Sequence, residues 1–114
     1  MVRVLVSPGL VKKIRKKFGS NSKKVFKSIK KLEENPYSGK LLSQIGRIKL
    51  KEIRYENVFR FYFFTNEELI KILDEKDLQD ILIKFVDMSK KGKEQQEIIN
   101  KLKKDLKEFG FDFF

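Results

Sequence analysis

The stretch Val58-Phe59-Arg60-Phe61-Tyr62-Phe63-Phe64 constrains this chain more than any other segment. Aromatic residues at that density favour a β-strand, and Glu56-Asn57 immediately before it reads as a tight turn. Ahead of the turn, apolar Ile48 and Leu50 alternate with basic Arg47, Lys49 and Lys51, after which the apolar phase moves to Ile53 and Tyr55. Two such runs about one turn predict a β-hairpin, and the change of phase predicts a bulge or bend in its first strand. On the second strand Phe59, Phe61 and Phe63 share one pleat, while Val58, Arg60, Tyr62 and Phe64 share the other. Arg60 is the one charge in an otherwise apolar strand.

The remaining elements group around this hairpin. Val2, Val4 and Val6 alternate with Arg3 and Leu5, as in a strand, and Ser7-Pro8 supplies an N-cap followed by proline at the first helical position. Leu10, Val11, Ile14 and Phe18 then form one helical stripe opposite Lys12, Lys13, Lys16 and Lys17, and Gly19 ends the helix. Ser20 to Ser22 offer caps for a second helix with the stripe Val25, Phe26, Ile29 and Leu32, stopped by Asn35-Pro36. Its outer face carries Lys23, Lys24, Lys27, Lys30 and Lys31. A loop marked by Gly39 and Gly46 leads to the hairpin. In 65–80 a capping-box pattern, Thr65 with Glu68, favours a short helix over an extra strand. The acidic residues Asp74, Glu75, Asp77 and Asp80 lack calcium-loop spacing and read as a solvated turn. Ile81 to Val86 reads as a strand, Ser89 to Lys93 as a short basic loop, and Ile98, Ile99, Leu102, Leu106 and Phe109 as the stripe of a closing helix. The tail 110–114 holds three phenylalanines, Phe111, Phe113 and Phe114, expected to pack on the sheet or on a partner. Helices grouped before an antiparallel sheet give the expected fold class: an α+β, two-layer domain with a closing helix.

At 114 residues one domain, 1–114, is expected. The chain has neither Cys nor His, which excludes zinc sites, thiolate nucleophiles, Ser-His pairs and disulfides. Any acid-base chemistry then falls to Lys, Arg, Tyr, Asp or Glu, and no metal or other cofactor is expected. No apolar run approaches the length of a signal-peptide core or a spanning helix, so a soluble cytoplasmic protein away from membranes is expected. The formal charge of +11 points to a polyanionic or acidic partner. It is uneven: 17 basic against 4 acidic side chains in residues 1–66, 3 against 7 in 67–87, and 7 against 5 in 88–114. Lysine supplies 22 of the 27 cations, so the five arginines are the more informative, guanidinium being suited to phosphate, and Arg47, Arg54 and Arg60 cluster in the hairpin.

The order of elements and the residues at its joints resemble the RelE/ParE toxin superfamily, nearest to its phage-derived HigB-like branch. Four places carry the likeness: Leu32-Glu33-Glu34-Asn35-Pro36 with Gly39-Lys40-Leu41, the strand Leu50-Lys51-Glu52-Ile53-Arg54-Tyr55, the strand Phe59-Arg60-Phe61-Tyr62-Phe63-Phe64, and Ile83-Lys84-Phe85-Val86 with the basic loop and helix that follow. The likeness spans about residues 2–109, with an insert near 67–79.

The resemblance implies the toxin component of a toxin-antitoxin pair, an mRNA endoribonuclease that acts in the ribosomal A site without metal. Alternatives within the same resemblance are a ParE-like inhibitor of DNA gyrase and a degenerate relative that only binds RNA or antitoxin. It implies a cognate antitoxin, mRNA and the ribosome, or gyrase, as partners. Arg60 and Arg54 would neutralise the scissile phosphate, and Lys90 or Lys91 would act as general acid. Arg47, Lys49, Lys51, Lys23, Lys27, Lys30, Lys31 and Tyr55 would bind RNA. The lysine pair of RelE-type members aligns with Leu50 and Glu52 here, the loop histidine of HigB-type members is missing, and the closing helix has no tyrosine.

Overall fold

The computed structural model describes residues 2–67 and 81–109. The chain forms β1 (Val2–Val6), α1 (Pro8–Phe18), α2 (Ser22–Lys30), β2 (Lys40–Ile45), β3 (Ile48–Tyr55), β4 (Phe59–Thr65), β5 (Ile81–Lys90) and α3 (Lys93–Phe109). The strands make one sheet in the order β1-β5-β4-β3-β2, with β1 parallel to β5 and every other pair antiparallel. This is the expected α+β class.

The start and end of α1 follow the local chemistry. Ser7 adopts extended backbone and its Oγ accepts the Leu10 amide at 3.3 Å, Pro8 occupies the first turn, and Gly19 at φ 52° closes the C-terminus. The cap expected for α2 works differently. A 3-10 turn, Gly19–Asn21, links the two helices, and the Ser22 hydroxyl donates back to Gly19 O at 2.7 Å and Ile14 O at 3.3 Å. It fastens the hairpin instead of capping its second member.

Alternation along β4 determines the layering. Phe61 and Phe63 sit with Leu10, Ile14, Val25, Ile29, Leu32, Ile83 and Phe85 against the helical hairpin. Tyr62 and Phe64, on the other pleat, sit with Ile48, Leu50, Ile99, Leu102 and Leu106 under α3. The four aromatic side chains Phe61 to Phe64 are wholly buried, each worth roughly 1.5–3 kcal/mol of transfer free energy. A strand apolar on both pleats needs cover on both, so the expected two layers become three, with the sheet in the middle.

This sandwich explains the phase change in β3. Its register with β4 is continuous, from Lys49 opposite Thr65 to Tyr55 opposite Phe59, so the predicted bulge in β3 is absent. Ile48 and Leu50 face α3, whereas Tyr55 and Ile53 pack on the α1/α2 side. The apolar pattern changes face while the pairing stays in step.

The bulges lie in neighbouring strands. The segment expected as a loop between Gly39 and Gly46 contains edge strand β2, where a register shift between Leu41 and Ser43 leaves Leu42 unpaired and breaks the period of two. Gly39 at φ 106° leads into it, and a Cβ there would lie 3.0 Å from Phe63 and 3.1 Å from Glu52 O. In β5 the shift falls between Phe85 and Asp87, and past it the strand continues to Lys90. Ser89 and Lys90, expected in a loop, are strand residues opposite Arg60 and Phe59. The short helix expected in 65–80 falls, apart from its first residues, outside the described residues, as do the acidic turn and the aromatic tail. Among the described residues no helix is long and apolar enough to cross a membrane.

Candidate nucleic-acid interface

The end of the sheet where β4 begins and β5 ends carries a cleft of about 540 Å³ against the C-terminal half of α1. Lys13, Lys16 and Lys17 line it from α1, Phe59 and Lys90 from the paired strands, and Glu94 from α3. The helix presents the three lysines together because Lys16 and Lys17 lie three and four residues after Lys13, on one side of it. Its C-terminal turn also tolerates cations well, since the helix dipole is negative there.

An aromatic stack forms the wall beside the cleft. Phe18 meets Phe59 at 4.9 Å and Tyr55 at 5.8 Å, both edge-on, and Tyr55 meets Phe61 at 6.0 Å. The Lys17 ammonium lies 6.0 Å from the centre of the Phe59 ring. Lys90, directly opposite Phe59 in the sheet, lines the same cleft as Lys17. The neighbouring Lys90 ammonium lowers the Lys17 pKa below its ordinary value of 10.5, with a smaller opposing pull from Glu94. Lys13 is neutralised locally by Asp87 at 2.6 Å, a carboxylate that follows the β5 bulge and also accepts the Met88 amide. The site offers ammonium groups for phosphate and one ring edge for a base.

The residues expected to be catalytic divide between the two pleats. Lys90 faces this cleft, exposed. Arg54 and Arg60 are direct cross-strand partners on the opposite, α3-facing pleat. Arg54 is exposed, but Arg60 is 3% exposed and its Nη1 donates to Asn57 O at 3.0 Å and Phe59 O at 3.1 Å. The first carbonyl belongs to the turn in which Glu56 and Asn57 both take positive φ, 52° and 59°, and the second to the first residue of β4. The buried guanidinium braces a turn that L-residues adopt at a cost. Lys91 is exposed and ties β5 to the same turn through its amide, which donates to Val58 O at 2.7 Å.

The expected RNA-binding residues scatter further. Lys23, Lys27, Lys30 and Lys31 are exposed on or just after α2. Arg47 is exposed in the turn before β3, roughly 23 Å from Arg54 at the usual strand rise. Lys51 is 4% exposed, its ammonium held by Glu67 Oε1 at 3.3 Å and Tyr37 O at 2.9 Å, and Lys49 meets the same carboxylate at 3.1 Å. Tyr55 is half-buried between Phe18 and Phe61. Tyr62 is wholly buried, its hydroxyl 2.6 Å from Ser89 Oγ, and desolvation raises its pKa.

Lys13, Lys16 and Lys17 were visible in the sequence only as the solvated face of α1. Their spacing carries the grouping, but nothing local to them reveals Lys90 as their neighbour, since that requires the β4–β5 pairing. Among the described residues no group of three acidic side chains is placed to hold a metal ion. No family model, curated protein or solved structure matches the chain.

Proposed function

We propose that this chain is a toxin of the RelE/HigB type that acts in the cytoplasm, engaging the ribosome through its basic first half and cleaving mRNA without metal at the α1–β5 cleft. The observation that carries the reading is the convergence of Lys17 and Lys90 on one cleft beside the Phe59 ring. Lys17 as the free amine takes the proton from a ribose 2′-hydroxyl, whose oxygen attacks the adjacent phosphorus. The bond from phosphorus to the 5′-oxygen breaks, that oxygen takes a proton from a neighbouring ammonium such as Lys90, and the products are a 2′,3′-cyclic phosphate and a 5′-hydroxyl. Lys16 and Lys90 offset the charge that builds on the phosphate oxygens. Arg60 is then a positioning residue, bracing the turn that sets Phe59, and the exposed lysines of α2 add salt-sensitive affinity for RNA backbone. An antitoxin with an acidic extended or helical segment would cover the cleft.

The burial of Arg60 favours a second reading in which the chain binds RNA, antitoxin or gyrase without cleaving. Inducible expression separates the two when the 5′ ends of translated mRNAs are mapped for wild type, Lys17→Ala and Lys90→Ala. The toxin reading expects new 5′-hydroxyl ends and growth arrest with wild type, both lost in each variant. Growth arrest without new ends, or no arrest at all, supports binding alone.

A further inference from the structure

A second cavity, of about 280 Å³, lies on the other face of the sheet between β2 and the first turns of α3. Its walls are apolar at Leu42 and Ile99, its inner end is the Glu52 carboxylate, and its rim carries Lys40 and Lys103. Glu52 is 5% exposed, and Gln95 Nε2 donates to its Oε2 at 3.2 Å, which fixes the carboxylate's orientation. Burying a charged acceptor against apolar walls is costly unless donors meet it. Two lysines at the mouth make the pocket a poor receptor for a metal cation and a good one for a ligand that brings phosphate with it.

Resting on the RNA-binding reading above, we propose that this pocket takes a guanine base of a single-stranded RNA. Leu42 and Ile99 line the pocket and offer the apolar surface on which an unstacked base packs. The volume, just below the range of about 300–1,000 Å³ common for drug-sized ligands, suits one base rather than a whole nucleotide. Guanine is selected because its Watson–Crick edge offers two adjacent donors, N1–H and the 2-amino group, to the two oxygens of a carboxylate. Adenine and cytosine offer one amino group beside an acceptor, and uracil offers one imino donor. A carboxylate has lone pairs enough to hold such an edge and keep the Gln95 bond. The pocket also lies next to the cleft along the chain: Lys90 lines the cleft and Gly92 the pocket, with exposed Lys91 between them. An RNA with a phosphate at Lys17 and Lys90 reaches the pocket by passing over Lys91, which gives this residue a backbone-contacting role.

The test is fluorescence anisotropy of the full chain with short oligouridine RNAs carrying one central guanosine, inosine or adenosine. Inosine keeps the ring shape of guanine and lacks only the 2-amino group. Wild type is expected to bind the guanosine oligomer about tenfold more tightly than the other two, as loss of a hydrogen bond to a charged group implies. Glu52→Gln is expected to level the three while leaving the affinity for plain oligouridine unchanged. A thioguanosine photocrosslink, expected on residues 92–99 or 40–42, reads the same contact without any variant. Equal binding of all three oligomers by wild type overturns the pocket and leaves the RNA-binding reading standing. No salt-sensitive binding of any oligomer overturns both, and a crosslink confined to α1 overturns the pocket alone.

Discussion

Lys51 was expected to reach RNA, and the structure instead buries its ammonium against Glu67, which makes the Lys51–Glu67 pair a sharp test of how the sheet is built. With the charges 3.3 Å apart and an effective dielectric of about 20, their attraction is about 5 kcal/mol, offset in part by desolvation of both groups. The two single substitutions should differ. Glu67→Gln leaves a 4%-exposed Lys51 with a carbonyl from Tyr37 and a nearby like charge, Lys49, and should cost about 3–5 kcal/mol. Lys51→Met places an unbranched apolar chain on the same pleat as Phe63 and leaves Glu67 its contact with the more exposed Lys49. Its cost should be about 1–2 kcal/mol. The double variant should regain much of the Glu67→Gln loss, with a coupling of at least about 2 kcal/mol. Urea unfolding followed by circular dichroism measures all three against a typical total of about 5–15 kcal/mol. A Lys51→Met protein with unchanged stability and weakened RNA binding would refute the burial argument, because it would show the ammonium facing solvent and ligand.

Three further outcomes follow from particular contacts. Gly39→Ala must place a methyl 3.0 Å from Phe63 and 3.1 Å from Glu52 O at φ 106°, so a loss of about 2–3 kcal/mol in urea unfolding is expected. Tyr62 has a folded-state pKa raised above 10.0, so its contribution is fully present below pH 10.0 and is lost as pH climbs through the raised value. Tyr62→Phe should remove that alkaline loss while costing about 1 kcal/mol at neutral pH through the orphaned Ser89 hydroxyl, which unfolding curves at two pH values would read. Lys17, with its pKa lowered by Lys90, should acylate faster than the other lysines in a mass-spectrometric labelling time course at neutral pH, and Lys90→Gln should slow it.

Much of the fold could be read directly from residues. Ser7-Pro8 and Gly19 bracket α1 through backbone chemistry that needs no tertiary partner, and the run from Phe59 to Phe64 forms the buried strand its aromatics predict, with Val58 left exposed in the turn. β2 escaped because Leu42 bulges out of its ladder, and the far end of β5 because Asp87 and Ser89 interrupt its apolar pattern. Both interruptions are satisfied by tertiary contacts: Asp87 by Lys13, Ser89 by Tyr62. The site was legible in its charge and poorly legible in its geometry. Arg60 stands out in sequence as the lone charge of an apolar strand, and the same isolation is why it is folded inward onto carbonyls of its own turn. Lys90 was found through the resemblance, whereas Lys16 and Lys17 come to it from α1, a partnership set by the crossing of a helix over strands distant in sequence.

The proposal that Lys17 and Lys90 carry the chemistry is tested most directly by the pH dependence of single-turnover mRNA cleavage on purified translating ribosomes. For wild type the rate should rise with pH as the Lys17 amine loses its proton, and the inflection of that rising limb should lie below the ordinary lysine value of 10.5. Lys90→Gln removes the neighbouring charge, so the inflection should move upward while the rate at neutral pH falls. An inflection that stays in place in Lys90→Gln, or cleavage that survives Lys17→Ala unchanged, would contradict the assignment of this cleft as the catalytic site.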